Sequence, residues 1–408
     1  MKIMSMEKIS FKNSSGDDLS AKLELPVDRK PHNFAVFAHC FTCNKNFNTV
    51  RYVSSALAAE GFGVLSFDFT GLGMSEGDFS ETNFSGSVAD LICAANFLKE
   101  NYQAPAVIIG HSLGGAASLL AANELETVKA VATIGTPSAV QHVTNLLAGG
   151  IEEIEKKGAA EINIGGRPFT IKKQFVEDLK DQNLLNVVRR MRKAFLFLHS
   201  PQDKIVGVEN AAELYGAAFH PKSFVSLDAA DHLLSKQEDA IYVGDLIASW
   251  SARYVEMPER GELSTNKDIV AYLGNEETFT TEIKAGRHHL TADEPESFGG
   301  NDFGASPYAL VAAGLAACTA MTLRMYANRK KWNLREVYVH VSHEKSYLED
   351  CQNCTTANAK IDHFSRELEI IGELDPEQKS RLLEIADKCP VHKTLESKIH
   401  ISTKLKDG

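Results

Sequence analysis

Between Val107 and Gly115 the chain reads Val-Ile-Ile-Gly-His-Ser-Leu-Gly-Gly, and few strings restrict a fold as much. The apolar run from Ala106 to Ile109 reads as a buried strand, and Ala116 to Asn123 reads as a helix. Ser112 therefore falls on the sharp turn between them, a G-x-S-x-G elbow that exposes its hydroxyl. Glycines at 110, 114 and 115 remove the side chains that would collide where strand and helix cross. The helix N-terminus adds a partial positive field beside the serine.

The neighbouring sequence supplies the sheet such an elbow needs. Residues 7 to 25 alternate around Ser14-Ser-Gly-Asp-Asp18 and predict an opening β-hairpin. Strands are predicted at Phe34 to Ala38, Gly63 to Asp68 and Val128 to Ile134, with helices at Tyr52 to Glu60 and Phe84 to Lys99. Alternation of this kind implies a mostly parallel sheet with helices on both faces. From Thr136 to Arg190 the rhythm changes to a largely helical stretch broken at Gly149-Gly150 and Gly165 to Pro168, so residues 137–190 are expected to form a small helical cap. Sheet order resumes at Ala194 to His199, which runs into Asp203, and at Ser223 to Leu227, which runs into Asp228, Asp231 and His232.

Ser112, Asp203 and His232 thus each follow an apolar strand, in the chain order in which α/β hydrolases present a nucleophile, an acid and a base. Asp228 or Asp231 is the alternative acid, although both lie so close to His232 in sequence that reaching its Nδ1 would be awkward. In the predicted chemistry Ser112 attacks an acyl carbonyl, His232 takes and returns the proton, and Asp203 fixes the imidazole tautomer. The segment from Asp68 to Ser75, D-x-x-G-x-G-x-S, also resembles α/β hydrolases, where its Asp is structural. The resemblance places the oxyanion donors at the N–H of Leu113 and at one N–H from Cys40 or Phe41, after the strand that ends near His39. Cys40 stands where that family usually has glycine.

The Pro- and Gly-containing stretch around Met257-Pro-Glu-Arg-Gly reads as a linker, 256–266, between a first domain over 1–255 and a second over 267–408. Strands are predicted at Ile269 to Tyr272, Thr278 to Lys284, His288 to Ala292, Val337 to Val341 and His400 to Leu405. His288 and His289 are adjacent on one strand and point to opposite faces, which argues against shared metal ligation. Ser306-Pro307 opens a long apolar helix carrying Cys318. Asp375 and Gln378 open another that ends at Cys389-Pro390. Strands around two helices make an α+β domain.

Glu296-Ser-Phe-Gly-Gly, Ser306-Pro-Tyr, Ala316-Ala-Cys318-Thr and Asp387-Lys-Cys389-Pro-Val resemble the OsmC/Ohr family of cysteine-based peroxide reductases. The whole chain resembles α/β-hydrolase/OsmC fusion proteins. That resemblance implies that Cys318 reacts with an organic hydroperoxide, that Cys389 resolves it as a disulfide, that Glu296 belongs to the site, and that an external thiol or dithiol supplies electrons. It also implies a homodimer held through residues 265–408. The family's upstream Arg has no match at its usual spacing, which leaves Arg287 or Arg324 as the cation beside the thiol. Cys351-Gln-Asn-Cys354 is a C-x-x-C without a second pair, and Cys40, Cys43 and Cys93 are read as incidental.

Bulk properties narrow the partners. A net charge of −11 over 408 residues, with no long basic cluster, argues against a nucleic-acid partner. The first ten residues lack the apolar core of a signal peptide, which predicts a cytoplasmic protein. There the seven cysteines are expected to be free, catalytic or redox-active. Pro307 to Leu323 carries no charge but is rich in Ala and Gly and short for a membrane span, so it is expected to be a buried helix. Neither predicted chemistry calls for a metal or an organic cofactor. The expected partners are a small acyl substrate and a hydroperoxide.

Overall fold

The computed structural model describes residues 5–40, 44–140, 150–164, 167–257, 263–275, 277–347 and 360–405. The chain divides into two compact units, Met1–Gly261 and Glu262–Gly408.

In the first unit, β1 (Ser5–Lys12) and β2 (Asp18–Leu25) form an antiparallel hairpin. Then come β3 (Asn33–Ala38), α1 (Asn48–Ala59), β4 (Phe62–Phe67), α2 (Phe84–Asn101), β5 (Val107–His111), α3 (Leu113–Glu124) and β6 (Ala130–Ile134). After an insertion, β9 (Ala194–His199), α7 (Glu209–Ala217), β10 (Lys222–Ser226) and α8 (Gln237–Ser251) complete the unit. Eight strands join in the order β1-β2-β4-β3-β5-β6-β9-β10, and every pairing from β4 to β10 is parallel. β3, β4, β5, β6 and β9 are buried along their whole length. This explains why they read as continuous apolar runs and not as alternating ones. Period two still sorts their side chains: Val36, Leu65, Ile108 and Val131 join the core under α2 and α3, while Phe37, Val64, Ile109 and Ala132 join the core under α1 and α8.

The chain moves outward from β3 to β4 and then crosses back to β5 on the other side of β3. That reversal opens a crevice at the carboxyl ends of β3 and β5, the place where open α/β sheets bind ligands. His39 and Ser112 follow these two strands directly.

The insertion between β6 and β9 differs from the helical expectation. It holds α4 (Ile151–Lys157), β7 (Ala159–Ile164), β8 (Arg167–Lys172), α5 (Lys173–Asp181) and α6 (Leu184–Arg190), with β7 and β8 paired antiparallel. The stretch Gly165 to Pro168, expected to be a helix break, falls where this hairpin turns from β7 to β8; Gly165 and Gly166 lie outside the described residues. Buried Ala160, Ile162 and Ile171 supply the apolar face of this hairpin.

In the second unit, β11 (Ile269–Tyr272), β12 (Thr281–Ala285) and β13 (His288–Ala292) form an antiparallel sheet. α9 (Pro307–Lys330) follows, opened by the Ser306 side chain accepting from the Ala309 N–H. β14 (Asn333–Tyr347) pairs with β15 (Lys360–Glu373) in a long antiparallel ribbon, and α10 (Pro376–Ala386) and α11 (Pro390–Glu396) end the fold. Its core is small: Leu323, Ala327, Leu334, Leu382, Ile385 and Ala386. Two expectations fail here. α9 is not a buried helix, since only Leu315, Thr319, Leu323 and Ala327 are buried along its 24 residues. His400 to Leu405 forms no strand and is exposed. Both have one cause: a strand needs a partner and an apolar helix needs a cover, and within one chain the described residues of this unit provide neither.

Candidate functional site

The turn after β5 holds Ser112 at φ 56° and ψ −125°. A non-glycine residue there stores roughly 1–3 kcal/mol of backbone strain. Its N–H donates to the Ile134 carbonyl at 2.8 Å, which ties the elbow to β6. The close crossing of α3 over β3 accounts for Gly114, where a Cβ would collide with the carbonyls of Ala38 and His39.

From this elbow a hydrogen-bonded chain runs across the sheet. Ser112 Oγ donates to His232 Nε2 at 3.0 Å, and His232 Nδ1 donates to Asp203 Oδ2 at 2.6 Å. The other oxygen of Asp203 accepts the N–H groups of Ile205 and Val206, each at 2.9 Å. Burial pushes the Asp203 carboxyl up, but the bonds from His232, Val206 and Ile205 outweigh it and hold the group below the usual carboxylate value. Asp228 instead accepts from Ser226, and Asp231 accepts from the Ser235 N–H, so neither alternative acid reaches His232 Nδ1.

Three supporting residues were not singled out from sequence. His111 Nε2 donates to the backbone carbonyl of His232 at 2.7 Å and anchors the loop that carries His232. Burial, followed by the nearby His232, lowers the His111 pKa to about 3, so this imidazole is a neutral strut. His199 donates to the Val206 carbonyl at 2.8 Å and shapes the turn that presents Asp203. Gly135, at φ 54°, lies where a Cβ would be 3.2 Å from both Asp203 Oδ2 and His232 Nδ1. His111 and Gly135 adjoin apolar strands in sequence, a signal also given by many structural residues.

Of the residues expected to hold an oxyanion, Leu113 is the first residue of α3, and its N–H has no carbonyl within the helix to bond. Cys40 is buried, and its carbonyl accepts from His39 Nδ1 at 2.7 Å. Cys40 is disulfide-bonded, against the expectation that the cysteines are free, catalytic or redox-active. Phe41 and Cys43 lie outside the described residues. Asp68 is fully buried and accepts from the Lys45 N–H and ammonium and from the Met74 N–H. A cavity of about 270 Å³ beside this strand is lined by His39, Phe69, Leu72, Phe79, Asp90 and Leu113, among others.

The second unit brings two of its three predicted residues together. Cys318 lies on α9, and Cys389, fully buried, is the residue that caps α11, its Sγ accepting the His392 N–H at 3.4 Å. Burial pushes the Cys389 thiol up, but the N–H of His392 and the side chains of Cys318 and Thr319 more than offset it, leaving the thiol below its ordinary value. Cys93, Cys318 and Cys389 are the free cysteines among the described residues. Glu296 opens a one-turn helix, is exposed, and makes no side-chain hydrogen bond to a described residue. Arg324 donates to the carbonyls of Leu334 and Arg335, and Arg287 is exposed at a turn. A cation that sequence reading missed, Arg366 on β15, donates to Thr319 Oγ1 at 2.8 Å, and that hydroxyl lies 3.7 Å from Cys389 Sγ. Cys351 and Cys354 lie outside the described residues. Among those residues no cluster of metal-ligating side chains occurs.

Comparison with known proteins separates the same two halves. Residues 30–164 match the serine aminopeptidase, S33, family, and residues 299–404 match the OsmC-like protein family. The esterase domain of a Rhodothermus marinus protein is 48% identical, with a TM-score of 0.51 and alignment over 62% of this chain and 99% of that one. Mouse alpha/beta hydrolase domain-containing protein 10 is 22% identical, with a TM-score of 0.52, over 60% of this chain and 99% of its own. Est1E of Butyrivibrio proteoclasticus, solved with ferulic acid, is 19% identical, with a TM-score of 0.50, over 60% and 98% respectively. The last two show the shared fold alone. No curated protein matches the chain. The elbow, the mostly parallel sheet and the separate α+β unit, taken with these matches, place the chain in the α/β-hydrolase/OsmC fusion family: an α/β hydrolase joined to an OsmC-like domain.

Proposed function

We propose that the first unit is a serine hydrolase of acyl esters or thioesters and that the second is a cysteine-based reductase of organic hydroperoxides. The observation that carries the first half is the unbroken chain Ser112 Oγ, His232, Asp203 at 3.0 and 2.6 Å on a strained elbow. The name of the Rhodothermus relative, an esterase domain, points the same way. In this reading His232 takes the Ser112 proton as the hydroxyl attacks the acyl carbon. Asp203 keeps Nδ1 protonated and stabilises the imidazolium. The developing oxyanion is held by the Leu113 N–H and by one N–H from the segment at Cys40 and Phe41. His232 then protonates the leaving alcohol or thiol, and water repeats the cycle on the acyl-enzyme.

The second half is supported by the Cys318–Cys389 pair and the OsmC match. Cys318 gives a sulfenic acid with the hydroperoxide, Cys389 condenses with it, and an external dithiol restores both thiols. The exposed apolar side of α9 favours a homodimer through residues 265–408.

One panel tests both halves: aryl esters, acyl thioesters and organic hydroperoxides offered to the wild type, Ser112→Ala and Cys318→Ser. Ester cleavage is expected to vanish only in Ser112→Ala, by several orders of magnitude. Peroxide reduction is expected to vanish only in Cys318→Ser. A fluorophosphonate probe should label Ser112 and no other serine. Labelling elsewhere, or full esterase activity in His232→Ala, would overturn the triad.

A further inference from the structure

The thiol pair lies in a network that neither family resemblance nor spacing assigns. Thr319, fully buried and next to Cys318, has its Oγ1 2.8 Å from the Leu315 carbonyl and 3.7 Å from Cys389 Sγ. It also accepts from Arg366 Nη1 at 2.8 Å. The same nitrogen reaches the Ala386 carbonyl at 3.1 Å, and Nη2 pairs with Asp387 at 2.6 Å. The Arg366 side chain is only 12% exposed, whereas that of Asp387 is 65% exposed. Its acid partner is thus screened by water, and the face of the guanidinium turned to Thr319 is not.

We propose that Arg366 is the cation of the thiol site, acting as a positioning residue through the Thr319 hydroxyl to hold one negative charge of the Cys318–Cys389 pair on the buried Cys389 sulfur. A hydroxyl has one proton. With a neutral sulfur it goes to Leu315, as helix threonines commonly arrange it. With a charged sulfur it turns toward Cys389, and Arg366 polarises the O–H from behind, which strengthens a charge-assisted bond in a water-poor site. The His392 N–H gives the sulfur a second donor. Among the described residues, Asp387 and Lys388 after α10 and His392, whose imidazole pairs with Glu396 at 3.2 Å on α11, are further ionisable groups beside the pair.

This arrangement makes Cys389 more than a resolving thiol, a consequence that rests on the peroxidase reading above. The less buried Cys318 passes its proton to the Cys389 thiolate as its own sulfur attacks the hydroperoxide. An S–O bond forms, the O–O bond breaks, and the alkoxide leaves and takes a proton from water. The Cys389 thiol then attacks the sulfenic acid, forming the disulfide and releasing water, and an external dithiol reduces it.

The charge can be measured without peroxide. Iodoacetamide alkylation of the full chain, followed against pH with peptide mapping, gives the midpoint of each thiol. In wild type and Cys318→Ser, the Cys389 midpoint is expected below the roughly 8.5 of a free thiol. Arg366→Gln and Thr319→Val should each raise it by about one unit, lowering the Cys389 alkylation rate at pH 7 about tenfold. Arg366→Lys and Thr319→Ser, which keep the charge and the hydroxyl, should recover most of the difference. A Cys389 midpoint unmoved in folded Thr319→Val and Arg366→Gln would overturn the proposal, as would a low midpoint that belongs to Cys318 and persists in Cys389→Ser. Wild-type protein with the expected midpoints but no peroxide turnover would sink the peroxidase reading and leave the charge assignment standing.

Discussion

His111 shows how a single buried side chain can support a site from behind, by its hydrogen bond to the His232 carbonyl. It is neutral in the fold, with a pKa of about 3 against an ordinary His value of 6.5. Between these two values the unfolded chain binds the proton and the folded chain does not, so the stability of the first unit falls as pH falls through that window. The slope approaches about 1.4 kcal/mol per pH unit below pH 6. His111→Gln, which offers an amide N–H to the His232 carbonyl and does not titrate, should flatten this slope in urea unfolding between pH 7 and 4.5; an unchanged slope would assign the effect to other groups. Gly135 gives a second residue-scale test. Alanine there must adopt φ 54° and press on both Asp203 and His232. A displacement of this kind typically lowers kcat by about 10- to 100-fold, and Gly135→Ala should do so with little change in KM. Ser112, Asp203 and His232, which the structure joins by hydrogen bonds, stand out in the sequence because each follows an apolar strand. Arg366 gave no such signal: it belongs to a ribbon strand with alternating charged residues, and only folding brings it to Thr319, 47 residues away.

At the scale of elements, what was legible followed from period and from punctuation. The five central strands were found because burial on both faces makes them apolar throughout. The caps of α9 and α10 were found because Ser306-Pro307 and Asp375 with Gln378 carry their own hydrogen-bonding logic. The structure shows the full reciprocal box at α10, with the Gln378 N–H donating to Asp375 at 2.7 Å and the Gln378 side chain accepting the Asp375 N–H at 3.2 Å. Asp375→Ala should therefore destabilise the second unit by about 1 kcal/mol in denaturant titration of the full chain, with Asp375→Asn recovering most of it. The β7–β8 hairpin was missed because Gly165-Gly166 punctuates helices and strands alike, and only the pairing of Ile162 with Phe169 and Ala160 with Ile171 distinguishes them. β15 was missed for the opposite reason, since its exposed ribbon has no continuous apolar run to announce it.

For the molecule as a whole, the two units pose opposite problems of burial. The first covers its sheet on both faces, whereas the second leaves α9 with Tyr308 44%, Val311 41%, Met321 65% and Met325 72% exposed. Ile399, Ile401 and Leu405 lie open after α11 at 57%, 83% and 98%. α9 is long and apolar enough to cross a membrane by length and composition, and only 17% of that window is buried in the unit, so most of its surface is left uncovered by this chain. The mean hydropathy of such an Ala-rich helix is equally suited to a protein interface, where Met adapts to irregular contacts. A second copy of the unit would cover the helix and offer the unpaired 400–405 segment a strand to join, so both failed expectations would be met by one partner. Light scattering of the full chain at micromolar concentration should therefore give about twice the mass of one chain. Met321→Glu with Met325→Glu, placing two charges on the exposed side away from Thr319 and the Leu323 core, should give a monomer that retains the ester cleavage proposed for the first unit. A wild-type chain that is monomeric in that measurement, or a double variant that stays dimeric, would remove α9 from the interface.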